Sequence, residues 1–252
     1  MYQQERMDQI MKILKKNHYV TVDYLVNEIR YSPASIRRDL TLLQKQGLVV
    51  RSYGGVSIKD DRGTPFRFRQ HSMKLAKNSI AKRAAALVKN GDTVFLDSSS
   101  TTQYMGPYLT DKNGIIVITS NMTLATYLHE HGITTYCTGG KVCEYPGILG
   151  GELIGRTLTL FNIDIAFFSS VGIDSDGKIL VTSETALKNN EVLRETSKKF
   201  VFLCGSDKFN AKARYNSLTF DDIDYFVSDG DVGEEIKNKY KNTVFICTSK
   251  NK

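Results

Sequence analysis

The chain has 252 residues, a formal net charge of +7, and ordinary apolar (41%) and charged (24%) fractions, enough for one large domain with a small one attached. No apolar run nears the roughly 20 residues that span a bilayer, and the amphipathic start MYQQERMDQIMKILKK is unlike a secretory leader. Cys137, Cys143, Cys204 and Cys247 lack CxxC spacing, so the expectation is a cytoplasmic protein with reduced, packed cysteines and no cofactor.

Residues 1–60 carry a net +4, residues 61–89 a net +7, and residues 90–252 a net −4. A charge excess confined to the first third predicts a polyanionic partner for that part. Met7, Ile10, Met11 and Leu14 recur at helical spacing, and Val22, Leu25, Val26 and Ile29 repeat the pattern, each predicting a helix with one buried face. Thr21 is a candidate cap of the second helix, with Asp23 in its first turn where the helix dipole favours an anion.

Arg30 and Tyr31 turn the chain into SPASIRRDLTLLQKQG (32–47). Ser32 is placed to cap a helix beginning at Pro33, and Gly47 to end it in the left-handed conformation. Ile36, Leu40 and Leu43 form the apolar stripe, which turns Ser35, Arg37 and Arg38 outward. A basic helix start of this kind suits a DNA major groove, where arginine forks onto guanine O6 and N7. LVVRS, Tyr53-Gly54-Gly55 and VSIK then read as a two-stranded hairpin, a wing whose Arg51 and Tyr53 are placed to touch the sugar-phosphate backbone. Thr21, Ser32, Ser35, Arg37, Arg38, Arg51 and Tyr53 are the candidate DNA contacts.

These signals give a winged helix-turn-helix domain over residues 1–58, with the helix-turn-helix about 20–39. A basic linker follows over 59–76, polar and broken by Gly63 and Pro65, and then an α/β domain over 77–252. Residues 72–89 read as a helix with Ile80, Ala84, Leu87 and Val88 on one face. Beyond Gly91, short apolar strands alternate with helices: TVFLD and a helix near 103–110, IIVIT and a helix near 122–131, then TTYCT, DIAFFSS and FVFLC. Such alternation predicts a largely parallel sheet with ligands at the carboxyl ends of its strands. Those ends carry Ser98, Ser99, Ser100, Thr101 and Thr102; Ser120 and Asn121; Gly139, Gly140 and Lys141; Gly172; and Lys208. Hydroxyls, glycine N–H groups and two lysines on one rim describe a phosphate pocket, and Asp97 is placed there to accept from a sugar hydroxyl.

At this point the residues resemble the DeoR-type transcriptional regulators. SPASIRRDLTLLQKQGLVVRSYGGV is similar to the family's helix-turn-helix and wing, and KNSIAKRAAALVKNGDTVFLDSSSTT, ITSNMTLA, TGGKV, IDIAFFSSVGID, SETALKNNEVLRE and LCGSDKF to its sensor domain. Ser99, Ser169 and Tyr53 stand where the family usually has Gly, Gly and His, and the order Thr119-Ser120-Asn121 replaces Thr-Asn-Ser. The resemblance implies a repressor of carbohydrate uptake and breakdown genes, relieved by a phosphorylated sugar, with a sensor similar in fold to ribose 5-phosphate isomerase. It also implies an effector site lined by Asp97 to Thr102, Asn121, Gly139, Gly140, Glu184, Lys188 and Lys208. The partners expected are double-stranded operator DNA, the sugar phosphate and at least a second copy of the chain, as homodimer or homotetramer, because one winged unit covers too few base pairs.

The rival reading is a sugar-phosphate isomerase with a DNA-binding appendage. It requires a carboxylate base near an electrophilic lysine, for which Asp97, Asp174, Glu184, Lys188 and Lys208 are candidates. The carboxylate-rich isomerase motif is missing around Val171 to Asp174, so no enzyme activity is expected. His129-Glu130-His131 reads as a solvated helix end and Asp174-Ser175-Asp176-Gly177 as a turn, not as metal sites.

Overall fold

The computed structural model describes residues 2–17, 19–52, 55–58, 66–144 and 147–249. The chain divides into two compact units, Met1–Phe68 and Arg69–Lys252. Among the described residues no helix is long and apolar enough to cross a membrane.

The first unit runs α1 (Gln3–Asn17), β1 (Tyr19–Thr21), α2 (Val22–Ile29), α3 (Pro33–Lys45), β2 (Val49–Ser52) and β3 (Gly55–Ile58). Local chemistry sets its boundaries. Thr21 Oγ1 accepts from the Tyr24 N–H at 3.0 Å and Ser32 Oγ from the Ser35 N–H at 3.2 Å, while Gly47 takes φ +71° as α3 ends. Met7, Ile10, Leu14, Leu25, Ile36, Leu40 and Leu43 pack one core with Val49 and Val56 from the wing. The expected two-stranded hairpin is a three-stranded sheet in the order β1-β3-β2, because Tyr19 to Thr21 pair antiparallel with Ser57 to Gly55. Three residues are too few to show an alternating pattern. Tyr53 and residues 59–65 of the expected linker lie outside the described residues; residues 66–69 form α4 (Phe66–Arg69), which spans the division between units.

The second unit continues with α5 (Lys74–Ala85), β4 (Thr93–Leu96), β5 (Ile116–Thr119), α6 (Met122–Glu130), β6 (Thr134–Cys137), β7 (Lys141–Glu144) and β8 (Ile148–Gly150). Then come α7 (Leu153–Leu158), β9 (Ile165–Phe168), β10 (Gly172–Ile173), β11 (Lys178–Val181), α8 (Glu184–Thr196) and β12 (Phe200–Cys204). β13 (Tyr215–Thr219), β14 (Tyr225–Ser228), α9 (Glu234–Lys239) and β15 (Val244–Cys247) complete the unit. Seven strands form one sheet in the order β15-β14-β12-β9-β4-β5-β6, every pair parallel. From β4 the chain first builds outward through β5 and β6, then returns to the other side of β4 with β9 and builds outward again.

Both faces of this sheet are covered, which is why its strands read as continuous apolar runs. Val94, Leu96, Ile165, Phe167, Val201 and Leu203 pack with α5 and α6 residues such as Ile80, Ala84, Leu124 and Leu128. The alternate residues Phe95, Ala166, Phe168, Phe200 and Phe202 pack on the opposite face with Ile154, Leu158 and Leu193 of α7 and α8 and with Ile179. Phe168 stacks on Phe200 with ring centroids 4.2 Å apart. Two small antiparallel sheets, β10-β11-β13 and β7-β8, complete the unit; neither was expected, nor were β14 and β15.

Three further expectations are corrected. The helix near 103–110 is a 3-10 helix over Thr102–Tyr108 with Pro107 inside it; proline has no N–H to give an α-helical turn, and a Cβ on Gly106 would lie 3.0 Å from Leu124, so this piece packs close against α6. The helix expected over 72–89 is regular only over Lys74–Ala85, with turns after it. Of the cysteines only Cys204 is buried; Cys137, Cys143 and Cys247 are exposed, because they fall on an edge strand, an outer hairpin and the opposite edge strand.

Candidate functional site

In the first unit the stripe of α3 buries Ile36, Leu40 and Leu43 and leaves Arg37 and Arg38 exposed and Ser35 half-buried. Ser35 is drawn into the cap, its Oγ 3.0 Å from Ser32 Oγ. Arg51 reaches from β2 to α3, donating to Thr41 Oγ1 at 3.2 Å, and Thr41 Oγ1 in turn donates to the Arg37 carbonyl at 2.8 Å. β2 and α3 therefore present Arg51 and Arg37 on one surface.

Asp39, one residue beyond Arg38, points inward and is fully buried, where it pairs with Arg6 of α1 through Nε and, at 3.0 Å, through Nη2. Gln3 Nε2 donates to the same carboxylate at 3.1 Å, and the Arg6 guanidinium lies 4.5 Å from the Tyr31 ring centroid. The hydrogen bond to Asp39 raises the Arg6 pKa above its ordinary value. A fork of this kind fixes orientation as well as distance, so α1 sets the rotation of α3 and with it the direction of Arg37 and Arg38. The sequence reading passed over this pair.

In the second unit β4 and β9 are neighbours between which the strand order reverses. A crevice at the carboxyl ends of such a pair is where open α/β sheets bind ligands. Asp97 fastens it: Oδ1 accepts from the Ser99 N–H at 3.0 Å and lies 2.7 Å from Thr102 Oγ1, while Oδ2 accepts from the Ser169 N–H at 2.9 Å, across to the end of β9. Burial pushes the Asp97 carboxyl above the usual carboxylate range, and these donors pull it back. Ser100, Thr101 and Thr102 are buried, and Ser98 and Ser99 are half-exposed.

Around this loop the parallel register lines up the other strand ends. Asn121 caps α6, its Oδ1 accepting from the Leu124 N–H at 3.1 Å and its Nδ2 lying 3.5 Å from Gln103 Oε1. The Thr138 N–H donates to the Thr119 carbonyl at 3.1 Å, carrying the rim on to Gly139, Gly140 and the exposed Lys141 at the start of β7. Lys208 extends from β12 over the end of β9, donating to the Ser170 carbonyl at 2.9 Å with Ser169 Oγ 3.4 Å away. Gly172, at φ +152°, permits this: a Cβ there would collide with the Lys208 carbonyl and the Ala211 methyl. Glu184 and Lys188 are exposed on the first turns of α8, and the Glu184 carboxylate accepts from the Tyr215 hydroxyl at 3.1 Å.

Lys77 was missed from sequence. It is 7% exposed on α5, its Nζ donating to the Arg69 carbonyl and lying 3.4 Å from Ser72 Oγ. Burial and then the charge of Lys208 pull its ammonium down to about 8, with Asp207 opposing and Arg69 adding a smaller push. The signal was present: Lys77, Ile80, Ala81 and Ala84 fall at i, i+3, i+4 and i+7, which puts a lysine on the apolar stripe. Among the described residues no group of three or more His, Cys, Asp or Glu side chains is placed to hold a metal. His131 Nδ1 lies 2.7 Å from the Tyr127 carbonyl, and Asp174 Oδ1 accepts from the N–H groups of Asp176 and Lys178, as in an Asx turn.

Residues 6–62 match the DeoR-like helix-turn-helix domain and residues 72–230 the DeoR C terminal sensor domain. The glycerol-3-phosphate regulon repressor of Escherichia coli (strain K12) is 27% identical over 231 residues, covering 91% of this chain and 92% of the relative. The HTH-type transcriptional repressor GlcR of Bacillus subtilis (strain 168) is 28% identical over 232 residues, covering 91% and 89%. Among solved structures, ribose 5-phosphate isomerase A from Methanocaldococcus jannaschii aligns with a TM-score of 0.40 at 16% identity over 55% of each chain. The eIF2B beta structure from Chaetomium thermophilum aligns with a TM-score of 0.47 at 19% identity, over 61% of this chain and 48% of that one. With an exposed arginine pair on a capped third helix, a wing behind it, and a sensor sheet matched over residues 72–230, the chain belongs to the DeoR family of DNA-binding transcriptional regulators.

Proposed function

We propose that this protein represses carbohydrate uptake or breakdown genes by holding an operator duplex through Ser35, Arg37, Arg38 and Arg51, and releases it when a small phosphorylated sugar occupies the switch-point rim. The carrying observation is the loop Asp97–Thr102, fastened across the switch point to Ser169 with Lys208 held over the same strand end. Hydroxyls, backbone N–H groups and ammonium groups suit a phosphate monoester. Relatives in Escherichia coli and Haemophilus influenzae are repressors of a glycerol-3-phosphate regulon, which supports the same ligand class. The protein works in the cytoplasm, without a cofactor, as a homodimer or homotetramer whose paired winged units span two half-sites.

Against the isomerase reading, Asp97 already accepts three hydrogen bonds that shape the loop and Glu184 accepts one from Tyr215. The test uses the full chain with an operator selected from random duplexes. Glycerol 3-phosphate, fructose 6-phosphate, glucose 6-phosphate and ribose 5-phosphate are each titrated into the complex, and each is assayed for isomerisation. Release of operator by at least one without turnover is expected. Turnover, or a DNA-binding curve that none of them moves, overturns the proposal.

A further inference from the structure

The segment by which the chain enters the second unit, Arg69 to Ser72, is held by side chains that belong to the rim. Lys77 Nζ donates to the Arg69 carbonyl and reaches Ser72 Oγ at 3.4 Å. Tyr104 Oη donates to the Gln70 carbonyl at 2.7 Å, and Tyr104 sits on the 3-10 helix that continues directly from the Ser/Thr loop. Two of the three successive residues Arg69, Gln70 and His71 are therefore gripped by their carbonyls, one grip from the buried Lys77, which feels the charge of Lys208, and one from the 3-10 helix that follows the loop Asp97 organises.

We infer that Lys77 and Tyr104 form a latch on residues 69–72, closed in the anion-free protein and loosened when a phosphate monoester dianion binds between Lys77 and Lys208. This rests on the proposed sugar-phosphate site and says how its occupancy reaches the segment leading to the DNA-binding unit. An ammonium has three N–H donors, and two of those on Lys77 face the Arg69 carbonyl and the Ser72 hydroxyl. In the closed state that buried charge has only neutral hydrogen-bond acceptors, and the repulsion from Lys208 exceeds the attraction of Asp207. A dianion between the two ammonium groups replaces repulsion with attraction and forms charge-assisted bonds, which are stronger than bonds to a carbonyl or hydroxyl. The ammonium is drawn toward the anion, and the Arg69 carbonyl is left with its bonds from the Ser72 hydroxyl and N–H, at 3.0 and 3.3 Å. Because the Ser/Thr loop closes on the same ligand, the Tyr104 hydroxyl shifts with it. A ligand moves an equilibrium only through differential affinity, and here the differential contact is the choice of Lys77 between anion and carbonyl.

The test compares full-length wild type with Lys77→Met and Tyr104→Phe, the latter removing a single hydroxyl. Amide hydrogen exchange over residues 69–73 and operator affinity are measured with and without glycerol 3-phosphate, fructose 6-phosphate, ribose 5-phosphate and inorganic phosphate. Both variants are expected to exchange faster over 69–73 without ligand, to bind operator with the weakened affinity of ligand-bound wild type, and to lose most of the ligand response, about tenfold for a coupling of this class. Lys77→Arg, which keeps a donor and a charge, restores part of it. Unchanged exchange in both variants, or an undiminished ligand response in both, overturns the latch while leaving the sugar-phosphate reading intact. A wild type that no compound in the panel moves overturns both.

Discussion

At the scale of single residues, the exposed guanidinium groups of Arg37 and Arg38 and the buried ammonium of Lys77 sit in opposite environments and give opposite expectations. Arg38→Ala removes a side chain from the surface of α3, so thermal stability stays within about 0.5 kcal/mol while operator binding weakens by about 1–3 kcal/mol. Parallel melting and electrophoretic titration read the two quantities, and a melting temperature that falls with affinity contradicts the assignment. For Lys77 the expectation concerns pH. Burial and the neighbouring Lys208 hold its pKa near 8, below the ordinary lysine value of 10.5, with Asp207 opposing and Arg69 assisting. Between these values the unfolded chain carries a proton that the folded chain has released. The penalty of burying the charge is thus constant below about pH 8 and is relieved as pH rises toward 10.5. Wild type therefore gains stability over Lys77→Met across that window, measured by urea unfolding at several pH values. A difference that does not vary with pH means the lysine is not desolvated.

At the scale of elements, two carboxyl groups decide how secondary structures are aimed. Asp39 locks α3 against α1 through Arg6, and Asp39→Ala leaves a buried guanidinium unpaired, costing about 3–5 kcal/mol by the usual behaviour of broken buried pairs. Calorimetry of the full chain checks this, with the first unit melting earlier. Asp97 ties the end of β4 to the end of β9, and Asp97→Ala strands the N–H groups of Ser99 and Ser169, a loss on the order of 3 kcal/mol. The same substitution lowers effector affinity because the loop is no longer held open for a ligand; unchanged affinity in a titration would show that the loop is set by other bonds. Legibility from sequence differed between these cases for a physical reason. The caps Thr21 and Ser32 bond to N–H groups three residues away, so they are written locally. Asp39 and Lys77 lie on apolar stripes of their helices, where period 3.6 marks them as buried but says nothing of the partner, which for Asp39 lies 33 residues distant.

At the scale of the whole molecule, charge and linkage make the remaining prediction. Residues 1–89 carry the entire positive excess, so operator affinity falls linearly with the logarithm of salt concentration, with a slope of about −0.9 for each phosphate neutralised. Arg51→Ala lowers that slope by about one without changing which operator is selected. A slope unchanged by the substitution places Arg51 away from the backbone. Reciprocity adds a second requirement: a sugar phosphate that weakens operator binding is itself bound more weakly, by the same factor, in the presence of operator.

The sequence by itself determined the capped third helix, the outward arginines, the uneven charge, and five of the strands in the parallel sheet, because these follow from periodicity, composition and hydrogen bonds within one turn of chain. Only the tertiary structure decided that β4 and β9 are neighbours, that Asp97 reaches Ser169 across 72 residues, that a third strand completes the wing sheet, and that Lys77 holds the Arg69 carbonyl. Strand order and the partners of buried charges depend on which distant segments share a core. That choice is made by the packing of both sheet faces at once, and no local stretch of sequence records it.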